Sequence, residues 1–169
     1  MSQVTEAGYD EESLRRLIAE RYAELVHLAY SIIHERAEAE DVTQQALERA
    51  WRSRGQLNDG GKALFWLRRI LVREALRRRS RYRRLLGWPH VGEMDPADRS
   101  SNEALRDGRL DLVRAFQRLP ADQAGAVVLH HYFQYSIPEV AELMGVPFET
   151  VRSRLRLGMR KLREELRDE

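Results

Sequence analysis

The chain has 169 residues, 43% of them hydrophobic and 33% charged, with a net charge of +2. That length suits one or two small domains and excludes a large multidomain enzyme. It contains no cysteine, which excludes a disulfide framework, a cysteine-based zinc site and a thiol nucleophile.

The N-terminal stretch MSQVTEAGYDEES is polar and acidic and does not read as a signal peptide. Arginines interrupt ALFWLRRILV within a few residues, so no apolar run approaches a membrane span. A soluble, cytoplasmic protein with no membrane insertion is expected. Strand signals are weak and helical periodicity runs throughout. Leu14, Ile18, Tyr22, Leu25, Ala29 and Ile32 recur at the spacing of one buried helix stripe. A second helix is predicted from about Ala37 to Arg54, with Val42, Ala46 and Ala50 in line and Leu47 and Trp51 beside them. The polar, glycine-rich GQLNDGG that follows predicts a loop. A third helix is predicted from about Lys62, burying Leu64, Leu67, Leu71 and Ala75. None of the three can bury its stripe alone, so a compact bundle over 1–84 is expected.

The periodicity then fails. GWPHVGEMDPADRSSN carries two prolines and two glycines, and residues 85–102 are predicted to be a flexible linker. Leu105, Leu112, Phe116 and Leu119 restart a stripe that Pro120 stops. Further helices are predicted from Ala121 to about Phe133, from Ser136 to Met144 and from Phe148 to about Leu166. The expected fold class is therefore all-α: two small helical domains, the second spanning 103–169. No appended sensing domain is expected after the last helix.

The placement of charge says more than its total. Acids dominate as far as Ala50, whereas from Arg52 to Arg84 twelve basic residues meet only Asp59 and Glu74. Nearly all the positive charge is arginine, Lys62 and Lys161 being the only lysines. The planar guanidinium suits phosphates and guanine edges, so this asymmetry points to a nucleic-acid surface. A solvated helix face is the alternative reading.

Near the C-terminus, VAELMGVPFETVRSRLRLG ends one short helix and at once begins another. Gly145 can take the left-handed conformation that closes the first helix. Pro147 suits the start of the second. Val151, Leu155, Met159, Leu162 and Leu166 form an apolar seam, leaving Thr150, Arg152, Ser153, Arg154 and Arg156 outside it. A helix-turn-helix needs this arrangement, because the early residues of its second helix reach base edges in the major groove. The plainer alternative is an αα-hairpin with a solvated arginine face. Gly158 costs about 1 kcal/mol relative to alanine inside a helix, and the sequence offers no reason for it.

Three stretches together resemble bacterial RNA polymerase sigma factors of the extracytoplasmic-function class. AEDVTQQALERAW (39–51) is similar to that family's polymerase-binding helix, FWLRRILVREALRRRSR (65–81) to its promoter-melting helix, and 119–166 to its C-terminal helix-turn-helix region. The resemblance implies that the first domain binds core RNA polymerase through Asp41 and Gln44. It implies that the −10 element is held by the loop residues Gln56, Leu57, Asn58 and Asp59, by Trp66, and by Arg69, Arg73 and Arg77 along the phosphate backbone. Trp66 has a core reading as well. The −35 element would be read by Thr150, Arg152, Ser153, Arg154 and Arg156. Arg73, Arg77 and Ala63 stand where the family commonly has asparagine, aspartate and phenylalanine, and Leu157 where arginine is frequent. The resemblance further implies promoter DNA and an anti-sigma factor as partners, with a monomer outside those complexes. Exposed arginine faces and the apolar Leu85, Leu86 and Trp88 could serve the anti-sigma contact.

Other chemistry finds little support. His27, His34, His90, His130 and His131 have no companions at metal-ligand spacing, so neither metal nor cofactor is expected. A stand-alone helix-turn-helix repressor or activator with a dimerising or sensing N-terminal bundle is the competing function. An enzyme acting on nucleic acid lacks the acid cluster that metal ions would need. The leading reading depends on two tethered globules that display their guanidiniums outward.

Overall fold

The computed structural model describes residues 9–86 and 103–167, side chains at 86 and 103–107 excepted. Among these residues every regular element is helical. The elements are α1 (Glu11–Ile33), α2 (Arg36–Arg52), α3 (Ala63–Leu86), α4 (Glu103–Gln117), α5 (Ala121–Val127), α6 (Ile137–Met144) and α7 (Phe148–Glu165). A π-helical turn, Val128–Tyr132, continues α5, and two 3-10 turns, Arg54–Gln56 and Gly60–Lys62, lie between α2 and α3. The linker predicted over 85–102 lies almost wholly outside the described residues, and so do His90 and Trp88. Leu85, at the end of α3, is exposed.

Side chains set the helix ends. Asp10 caps α1 by accepting from the Ser13 N–H at 2.7 Å, and that bond holds its carboxyl below the usual carboxylate range. The Glu35 carboxylate caps α2 by accepting from the Ala37 and Glu38 N–H groups. His34 takes the left-handed conformation that ends α1.

α1, α2 and α3 pack against one another as the N-terminal lobe. At its tip a small core gathers Leu14, Ala50, Leu57, Ala63, Trp66 and Leu67. The larger core starts in the same lobe with Leu25, Ile32, Val42, Leu71 and Val72. It continues without a break into Leu119, Leu129, Leu143 and Val151 of the C-terminal lobe. The two helical domains expected from the sequence are both present, and beyond that expectation their lobes share one core. The physical reason lies in α3. Its predicted stripe of Leu67, Leu71 and Ala75 is buried, with Leu64 only half-buried, but Val72 and Arg79 are buried too. One side of α3 packs on α1 and α2, the other on α5 and α6.

Arg79 joins the two lobes and is only 3% exposed. Its guanidinium donates to the carbonyl oxygen of Ile32 at 2.6 Å, of Phe116 at 2.9 Å and of Leu119 at 3.1 Å, and it lies over the Phe116 ring. Ile32 and Phe116 belong to the last turns of α1 and α4, so one cation meets the negative ends of two helices. Burial, then the neighbouring Arg83 charge, brings its pKa down to about 9, which leaves it charged at neutral pH.

In the C-terminal lobe α7 lies against α4, α5 and α6. A Cβ on Gly158 would stand 2.9 Å from Val127 Cγ2, so this glycine permits the close crossing of α5 and α7. Val151, Leu155 and Leu162 are buried as predicted, whereas Leu166, in the C-cap position of α7, is 43% exposed. Leu112 is also exposed, whereas Ala115, Phe116 and Gln117 in the final turn of α4 are buried.

Candidate nucleic-acid and polymerase surfaces

α6 and α7 form a helix-turn-helix. The Ser136 hydroxyl accepts from the Glu139 N–H while the Glu139 carboxylate accepts from the Ser136 N–H, a reciprocal cap that fixes the start of α6. Gly145 closes it at φ 69°, donating to the Ala141 carbonyl at 2.9 Å, and α7 begins directly after Pro147.

Arg152 and Arg156 project into solvent from the first half of α7. Arg152 lies over the Phe148 ring, 5.9 Å from its centroid, and pairs loosely with Glu149 at 3.6 Å. Thr150 and Ser153 are half-buried beside them. Arg154 goes elsewhere: its Nε stands 3.2 Å from an Asp122 carboxylate oxygen, against α5. Two residues along a helix is a rotation of about 200°, so Arg154 lies on the opposite side of α7 from Arg152 and Arg156. That spacing was already in the sequence.

On the N-terminal lobe, five of the sequence-predicted promoter residues come together. Gln56, Trp66, Arg69, Arg73 and Arg77 line one cleft of about 220 Å³ on α3, together with Arg49 and Glu74. Trp66 is 9% exposed and belongs to the tip core, as its core reading had it, and it also lines the cleft. Leu57 departs from expectation. It is 5% exposed and turned into the same core, since the 3-10 turn before it brings its N–H to the Arg54 carbonyl. Gln56, Asn58 and Asp59 stay exposed, and Asp59 accepts from the Gly61 N–H at 2.9 Å.

The α3 arginines have more partners than their own stretch of chain suggests. Arg68 pairs with Glu24 of α1, Arg78 with Glu38 and Asp41 of α2, and Glu74 with Arg49. Arg73 donates to the main-chain oxygen of Glu142 at 3.1 Å and of Leu143 at 3.4 Å, at the end of α6. Burial, then the charges of Arg69 and Arg77, lowers its pKa despite Glu142. The guanidiniums facing the other lobe thus meet chiefly carbonyl oxygens, and the outward display expected of them holds only in part.

Asp41 and Gln44 lie exposed on α2, one helical turn apart. Asp41 accepts from Arg78 at 2.8 Å and from Gln45 at 2.9 Å, and Gln44 donates to the Tyr22 hydroxyl at 3.2 Å. Arg78 therefore orients the Asp41 carboxylate, a role that the sequence reading does not anticipate. Burial lowers its pKa, but Glu38 and Asp41 outweigh that and the net shift is upward. Among the described residues no group of histidine and carboxylate side chains could hold a metal ion. No described helix is long and apolar enough to cross a membrane.

Two family models match the chain in order: Sigma-70 region 2 over residues 17–85 and Sigma-70, region 4 over residues 109–162. The first half of the chain is thus similar to one sigma-70 module and the second half to another. SigM of Mycobacterium tuberculosis is 30% identical over 86% of this chain and 72% of its own length. SigE of Mycolicibacterium smegmatis is 34% identical over 89% of this chain, which spans 60% of that relative. SigL of Mycobacterium tuberculosis is 29% identical over 99% of this chain and 97% of its own. The chain belongs to the ECF RNA polymerase sigma factors. Among solved structures the fold is shared by the Bartonella quintana sigma factor RpoE in complex with the anti-sigma factor NepR. There the TM-score is 0.67 at 24% identity, over 92% of this chain and 98% of that one. CnrH in complex with the cytosolic domain of CnrY gives a TM-score of 0.64 at 21% identity, over 97% of this chain and 94% of that one.

Proposed function

We propose that this chain is a promoter-specificity subunit that binds core RNA polymerase and directs initiation by recognising and melting promoter DNA. It carries out no covalent chemistry of its own and works in the cytoplasm. The observation that carries the reading is the α3 cleft, where Gln56, Trp66, Arg69, Arg73 and Arg77 meet. A base taken out of a duplex needs both a recess and cationic support for its phosphates, because unstacking costs a few kcal/mol. The second contact is the exposed pair Arg152 and Arg156 on α7, poised for the major groove of the −35 element.

Joining two modest contacts on one chain raises the effective concentration of the second once the first has formed. The shared core sets a condition on this. Arg73 is engaged by the end of α6, so full use of the α3 face requires the lobes to part. Polymerase contact through Asp41 and Gln44 supplies a place for that to happen. An anti-sigma partner fits the same logic, since two proteins of this fold were solved with anti-sigma factors. Such a partner need only favour the arrangement in which the lobes are together. A stand-alone repressor or activator would not need the arginine-lined recess.

Run-off transcription with reconstituted core polymerase tests the reading. A defined transcript that depends on this chain is expected. Its absence from every candidate promoter, with a tight dimer binding a palindrome without polymerase, would favour the stand-alone regulator.

A further inference from the structure

Between the lobes lies a second and larger cleft, of about 840 Å³. One wall is α3, with Arg73, Arg77, Arg83 and Arg84; the other includes Arg154 of α7 and Asp122 of α5. Five guanidiniums thus line a cavity to which one carboxylate contributes, and two of them, Arg73 and Arg83, also donate to the main-chain oxygens of Glu142 and Leu119. Asp122 is already paired with Arg154, and Glu74, which pairs with Arg77 at 2.9 Å, lies outside the lining. Leu76 and Met144 form part of an apolar floor. The volume falls within the range of sites for small ligands, roughly 300–1,000 Å³.

Charges of one sign gathered around a recess with low-dielectric walls focus a field that draws in a counter-ion. The positive side chains here are all arginine, whose fork matches phosphate oxygens two at a time. We infer that this interlobe cleft is a binding site for a small polyphosphate anion, inorganic or carried by a nucleoside. Because the two walls belong to different lobes, the site is complete only while the lobes are together. An anion bound there stabilises that arrangement by mass action and opposes promoter engagement, since Arg73 and Arg77 serve both surfaces. The binding site itself does not depend on the promoter reading; only its regulatory consequence does.

Isothermal titration of the full chain with inorganic tripolyphosphate tests this, with ATP, sulfate and tetraglutamate at matched ionic strength as further arms. One-to-one binding is expected, at least tenfold tighter than sulfate or tetraglutamate, together with a raised Tm. ATP binding as tightly as tripolyphosphate points to a nucleoside source, and weaker ATP binding to an inorganic one; either supports the site. Arg84→Ala on α3 and Arg154→Ala on α7 should each weaken tripolyphosphate at least fivefold. Ser80 of α3 also lines the cleft, so Ser80→Asp, which puts a negative charge there, should do the same if either arginine variant fails to fold. Equal affinity for sulfate would overturn the proposal, and tighter binding of tetraglutamate would overturn it in favour of an acidic peptide. Loss from only one wall would also overturn it. Promoter-DNA binding by the reconstituted polymerase, measured without any nucleotide or polyphosphate, reports separately on promoter function.

Discussion

Gly145 at the end of α6 and Arg73 of α3 meet across the two lobes: a Cβ on the glycine would stand 2.7 Å from Arg73 Nη2. The glycine also sits at φ 69°. An alanine there meets two obstacles, the left-handed backbone and the guanidinium. Strain of this kind costs about 1–2 kcal/mol. Gly145→Ala is therefore expected to lose about 2 kcal/mol in urea unfolding, and less when Arg73→Ala is already present. The non-additivity, about 1 kcal/mol, reports the lobe contact directly.

Arg79 closes the carbonyl ends of α1 and α4 at once. Arg79→Met keeps the apolar stem and leaves those oxygens buried without their donor. An unmet buried polar group costs about 1–3 kcal/mol, and a loss of about 3 kcal/mol is expected by chemical denaturation. Arg79→Lys should recover only part of it, since one ammonium cannot span carbonyls on three segments.

At Gly158 two effects compete. Alanine gains about 1 kcal/mol in helix propensity, while the new methyl presses on Val127, a side chain stiff at χ1. Overpacking of a close crossing costs about 1–3 kcal/mol. Gly158→Ala is expected to destabilise by about 1 kcal/mol, and pairing it with Val127→Ala should relieve the clash. Thermal unfolding of the two singles and the double decides it.

Arg152→Ala and Arg156→Ala alter exposed side chains, so the Tm should stay within about 1 °C of the parent. Each should weaken −35 recognition by the reconstituted polymerase by about 1–3 kcal/mol if it reads a base. A residue that touches only phosphate would instead lower affinity on all sequences and reduce the salt slope by about one. Binding measured across a salt series separates the two roles.

Desolvation raises the Glu24 carboxyl, but the hydrogen bonds and charges of Arg68 and Arg21 outweigh it, and its pKa falls below 4.5. A depressed carboxylate stabilises the fold above its unfolded pKa, and that stability is lost as the pH drops through the folded value. Glu24→Gln should therefore be less stable than the parent at neutral pH. The gap should close well below pH 4.5, where both side chains are uncharged. Melting curves from pH 7 downward test the sign.

The sequence carried much of the local structure and less of what crosses between lobes. Helices α1, α2 and α7 follow from apolar spacing, and the end of α6 from Gly145, because those signals lie within a few residues of what they determine. The fate of the α3 arginines was not readable in this way. Their carboxylate partners Glu24, Glu38 and Asp41 lie on α1 and α2, far back in the chain, so a local count of acids made the stretch look unpaired. Nor could a single apolar stripe on α3 reveal that α5 and α6 cover its other side. Leu57 shows the same limit at small scale: a 3-10 turn hides it in the core while its neighbours stay exposed. Arg154 differs, since its departure from Arg152 and Arg156 needed only the angle per residue.

The continuous core has a bearing on engineering. A hybrid could be made by joining the first half of this chain to the second half of another. Here Leu71 and Val72 belong to the same buried cluster as Leu143 and Val151. A transplanted second half must bring side chains that fit this neighbour, or the hybrid will carry an exposed oily seam. Crossover points chosen inside 87–102 keep α1–α3 and α4–α7 whole and still break the fit, so the residues to graft together are those on the facing helices.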